Sequence, residues 1–106
     1  MDVDFSTNGS PKSVADAIEA FARAQGNVAA LVVPWESTAS TLSMAVTSVK
    51  IDGWAIEHTN LGTITLTADS ATTRVAIIGR PIADESQAQL SKVFEQFARE
   101  VQKNLE

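Results

Sequence analysis

The sequence predicts an α+β fold: an antiparallel sheet of about five or six strands with two helices packed on one face, in the order β-α-β-β-β-β-β-α. The first sign is a pair of apolar stripes at helical spacing, one near each end of the chain, each needing a surface to bury against. The second is a middle region of short segments that alternate polar and apolar residues, as half-buried strands do. The third is the brevity of the connections between those segments. Parallel strands need crossovers of a dozen or more residues, so these neighbours must run antiparallel.

Asp2 to Ser6 (DVDFS) opens the chain as a strand with Val3 and Phe5 on one face. Thr7-Asn8-Gly9 is a turn, and Ser10-Pro11 starts a helix. The serine can accept from the free amides of the first turn, and proline loses nothing at the first helical position. Val14, Ile18, Phe21 and Ala22 form the apolar stripe, Glu19 and Arg23 sit four apart on the wet side, and Gly26 closes the helix after Gln25.

Asn27 to Trp35 (NVAALVVPW) is a strand whose continuous apolar centre suits cover on both faces, and Pro34 ends it or places it at an edge. Glu36 to Thr41 is a loop. In Thr41 to Asp52, Leu42, Met44 and Val46 alternate, and Val49 and Ile51 alternate in the opposite phase. A strand through all five needs a bulge near Thr47-Ser48 to bring them to one face. A helix is the rival reading, because Leu42, Ala45, Val46 and Val49 also fit helical spacing. The Ser and Thr residues between Ser40 and Ser48 weigh against it.

Asp52-Gly53 between alternating residues is a hairpin signal. With those two residues as the loop, Ile51 faces Trp54 and Val49 faces Ile56, on one side of the ribbon. Leu61-Gly62 reads as a second turn. Thr63 to Ala68 follows as a strand with Ile64 and Leu66 inward, and Thr72 to Arg80 as another with Val75 and Ile77 on one face. Asp84, with Gln87 completing a capping box, then opens the last helix. Leu90, Val93, Phe94, Phe97, Val101 and Leu105 give it the strongest periodic stripe in the chain, and Glu95–Arg99 supports its exposed side.

This order of elements resembles the helix-grip proteins of the START and Bet v 1-like superfamily. The stretch DFSTNGSPKSVADAIEAF is similar to that family's opening strand and helix. GTITLTADSATTRVAIIG and the helix after it are similar to the closing hairpin and gripping helix. The chain is shorter than the family's, lacking one or two strands and a second small helix. The resemblance implies binding of a hydrophobic ligand between sheet and C-terminal helix and, since the family has no universal catalytic residues, assigns no catalytic role.

A net charge of −5, with eight basic residues scattered along the chain, argues against nucleic acid, which needs clustered Lys and Arg. The absence of cysteine excludes disulfides, thiolate catalysis and cysteine-based metal sites. The acidic, polar start has no signal-peptide character and no apolar run reaches membrane length, so a cytoplasmic location and no membrane partner are expected. Asn8-Gly9-Ser10 matches a glycosylation sequon and is read as a loop. The terminal Leu105-Glu106 is open to reading as a cloning scar, and on that reading Met1 is artificial too and a domain cut from a longer protein is the expectation.

Lys50 to His58 (KIDGWAIEH) looks most like chemistry, yet Glu57 and His58 as strand neighbours point to opposite faces and cannot form a base and orienter pair. A single histidine has no second ligand at metal-binding spacing, so neither a metal nor a cofactor is expected. His58 follows Trp54 and Ile56 on the inward side as a structural residue. Trp35 and Trp54 are expected in the core, and Arg74 on the exposed face. Asp2 and Asp4 read as a solvated pair.

The leading expectation is a noncatalytic domain that holds an apolar or amphipathic small molecule between the sheet and the Asp84–Leu105 helix, with Trp54, His58 and Arg74 as candidate ligand-binding residues. The alternative is a protein-interaction module, a homodimer formed through an edge strand or an exposed apolar helix face. A third reading is an enzyme-like scaffold using His58 and Arg74.

Overall fold

A computed structural model describes residues 2–81 and 88–106. Its elements are β1 (Asp2–Asn8), α1 (Pro11–Gln25), β2 (Val28–Val32), a short 3-10 turn (Pro34–Glu36), β3 (Thr41–Asp52), β4 (Ala55–Asp69), β5 (Thr72–Gly79) and α2 (Ala88–Leu105). The five strands form one antiparallel sheet in the order β1-β5-β4-β3-β2, so the expected α+β class holds with five strands. The expected Asp84–Gln87 cap lies outside the described residues.

Helix α1 begins and ends as its sequence dictates. The Ser10 hydroxyl accepts from the Ser13 amide, the Ser13 hydroxyl accepts from the Ser10 amide, and Pro11 holds the first position. Gly26 ends the helix in the left-handed conformation at φ +79° and donates its amide to the Ala22 carbonyl. Both helices bury their stripes in one cluster against one sheet face. Val14, Ile18 and Ala22 of α1 and Phe94, Phe97 and Val101 of α2 meet Met44, Val46, Ile64, Leu66, Val75 and Ile77. Buried hydroxyls are satisfied: Thr73 donates to the Gly9 carbonyl at 2.8 Å, and Thr7 donates to the Leu105 carbonyl.

Leu61-Gly62 is not a turn. It lies inside β4, which runs unbroken from Ala55 to Asp69 and merges two expected strands. The pairing steps from Val46↔Gly62 to Thr47↔Asn60, so Leu61 is the extra residue of a bulge on β4. The bulge expected near Thr47-Ser48 therefore belongs to the partner strand. Strand β3 keeps one alternation throughout: Met44, Val46 and Ser48 face the helices, while Val49 and Ile51 face away. The opposed phases in its sequence are a real change of face.

The hairpin turn also differs. Its loop is Gly53-Trp54, with Gly53 at φ +60° and Asp52 paired to Ala55. Positive φ at the first loop position alone is the type II′ pattern, which selects glycine there. The register moves accordingly, so Ile51 faces Ile56 and Val49 faces His58. Strand β2 is an edge ending before Pro34, as proline requires, and only one of its faces is covered, since Leu31 is 62 % exposed.

Candidate functional site

The β3–β4 ribbon outruns its neighbours. Strand β2 pairs only with Met44–Ser48 of β3, and β5 only with Gly62–Asp69 of β4. Beyond those limits the arm from Lys50 to Glu57 stands exposed. Its inner side is set by Ser48 and Lys50 on β3 and by Glu57 and Thr59 on β4. These polar groups succeed the buried Met44, Val46, Ile64 and Leu66 where the ribbon passes the bulge. A helix cannot bury a strip of hydroxyls and charges without partners for them, so close packing against α2 stops here.

The result is a cleft of about 320 Å³ between the arm and the first turns of α2. Leu90 and Val93 of α2 supply its apolar wall, while Ser48, Lys50, Glu57 and Thr59 supply the polar one, and Asn27, Val49 and Gln89 complete the lining. Lys50 and Glu57 are register partners and place one charge of each sign at the rim. Past Asn27 and Val93 a further hollow of about 310 Å³ continues toward Gln25, Gln96 and Glu100.

The sequence-derived candidates do not converge there. Trp54 sits at the tip of the arm, fully exposed, and Trp35 is 83 % exposed in the 3-10 turn, so neither belongs to the core. Propensity places aromatics in strands, but the tip has no layer over it. His58 is exposed on the face away from the helices, opposite Val49, and not inward, because the inner residues of this half of β4 are Glu57 and Thr59. Glu57 and His58 thus point to opposite faces.

Arg74 is exposed on β5, where its guanidinium forms two hydrogen bonds with Asp4 of β1, at 3.0 and 2.9 Å. That bonding above all holds the Asp4 carboxyl below its ordinary value, against an opposing desolvation and with the help of the adjacent positive charge, and the same pairing raises Arg74. Asp4 is therefore paired, not merely solvated. Arg74 lies opposite Thr67, nine positions along β4 from His58, or roughly 30 Å at strand rise. The two side chains cannot serve one site.

Sequence reasoning missed Leu90 and Val93 as cleft residues because both belong to an ordinary helical stripe. The available signal was the change of phase in β3, which marks where the apolar core stops. Neither known protein families, curated proteins nor solved structures yield a match to this chain. Among the described residues no group of three or more His, Asp or Glu could hold a metal, and no helix is long and apolar enough to cross a membrane.

Proposed function

We propose that this domain is a noncatalytic binder of an apolar or amphipathic small molecule, held between the β3–β4 arm and the start of α2. The cleft beside Leu90 and Val93 carries the proposal: its volume of about 320 Å³ lies within the range of small-molecule sites, and it combines an apolar wall with a few polar groups. The tail of such a ligand lies against α2 and its polar end meets the Lys50–Glu57 rim. The helix-grip resemblance in the sequence supports the same location. Trp54, His58 and Arg74 have no part in this site.

Titration with decanoate, followed by backbone amide NMR, tests it. Shifts are expected at Ser48–Lys50, Glu57–Thr59 and Leu90–Val93. Val93→Trp, which fills the cleft, abolishes them while circular dichroism stays unchanged. Shifts confined to the Trp54 tip, or none at all, contradict the proposal.

A further inference from the structure

The outer edge of β2 carries an inference independent of what fills the cleft. The Val33 amide donates to the Ser43 carbonyl, and the Val49 amide donates to the Asn27 carbonyl. Bonded pairs alternate along an antiparallel ladder, so the odd-numbered residues of β2 direct their backbone groups at β3. Val28, Ala30 and Val32 direct theirs outward, and among the described residues no strand lies beyond them. Edges of this kind are commonly blunted by charge. The opposite edge, β1, has Asp2 and Asp4, whereas β2 reads VAALV with no charged residue.

Beside this edge runs a hollow of about 240 Å³ between β2 and the last turns of α1, lined by Glu19, Ala22 and Arg23. The sequence places Glu19 and Arg23 as a helical pair. Among the described residues the ion pairs are Lys12–Asp16, Arg74–Asp4 and Arg99–Glu95, and Glu19 and Arg23 do not bond each other. One acid and one base thus stand in the same hollow without meeting.

A second copy of this chain satisfies both features. We propose a two-fold homodimer in which β2 pairs antiparallel with β2 of the second copy about Ala30. Val28 then pairs with Val32 of the other strand and Ala30 with its own counterpart, so each outward amide meets an outward carbonyl. The exposed Leu31 packs across the join onto Ala29. The same axis sets the two α1 helices antiparallel on one face, bringing each Glu19 toward the other copy's Arg23. An isologous interface needs such self-complementarity, whereas an unrelated peptide has no reason to match it.

Sedimentation equilibrium of the full chain, from roughly 1 µM to 1 mM, reads the association. The wild-type protein is expected to pass from monomer to dimer. Leu31→Lys, at an exposed position that leaves the circular dichroism spectrum unchanged, is expected to stay monomeric. Glu19→Arg weakens the dimer at least about tenfold through like charges, and the double variant Glu19→Arg/Arg23→Glu recovers it. A wild-type monomer throughout overturns the proposal. So does a dimer indifferent to Leu31→Lys, or a charge swap that fails to rescue.

Discussion

Two halves of one ribbon behave differently. From Thr41 to Val46 and from Gly62 to Leu66, the β3–β4 pair is a wall of the core, with Met44, Val46, Ile64 and Leu66 fully buried. From Lys50 to Glu57 the same strands form a free arm, with Ile51 72 % and Ile56 61 % exposed. Both halves alternate polar and apolar residues. What differs is the face on which the apolar residues fall and whether any layer lies over that face. Alternation assigns side chains to faces, and cover decides what they are worth.

The sharpest way to break this contrast is to strike the packed half. Phe97 of α2 is fully buried in the cluster that covers it, so Phe97→Ala is expected to cost about 3–5 kcal/mol in urea unfolding. Next is the boundary. A Cβ at Gly62 would run into the Ile78 carbonyl oxygen and lie 2.7 Å from the Phe94 ring, so Gly62→Ala is expected to cost about 1–3 kcal/mol by the same measurement. On the arm, Ile51→Thr and Ile56→Thr should each change stability by about 0.5 kcal/mol or less. A larger loss would mean that the outer side of the arm is covered.

The smallest effect lies far from the arm, at the exposed Asp4–Arg74 pair. The folded Asp4 pKa lies below its unfolded value, so its contribution is fully present above about pH 4 and is lost as the pH falls through the lowered value. Asp4→Asn should remove a slight part of the thermal stability at pH 7, and the difference from wild type should close in strong acid.

Much of the fold was legible because local chemistry decided it. Ser10-Pro11 and Gly26 bound α1, the stripes of both helices are the ones that are buried, and Ile64, Leu66, Val75 and Ile77 face inward as their alternation requires. Leu61-Gly62 misled because a leucine before a glycine reads as a turn. The glycine is there for close approach to Ile78 and Phe94 inside a continuous strand. The loop assignment at Asp52-Gly53 slipped by one residue, which moved every cross-strand partner of the arm. Trp54 and His58 were drawn inward by their neighbours' hydrophobicity, although the sequence says nothing about where the covering helices end. For the same reason the lining of the cleft was not legible: Leu90 and Val93 read as ordinary stripe residues, because the sequence does not mark where α2 stops covering the sheet.

Native-state hydrogen exchange across the ribbon tests this division most directly. Amides of Met44–Val46 and Thr63–Leu66, flanked by paired strands on both sides, should exchange only through global unfolding, and those of Lys50–Glu57 through local opening at a small fraction of that free energy. Equal protection along the whole ribbon would contradict the account.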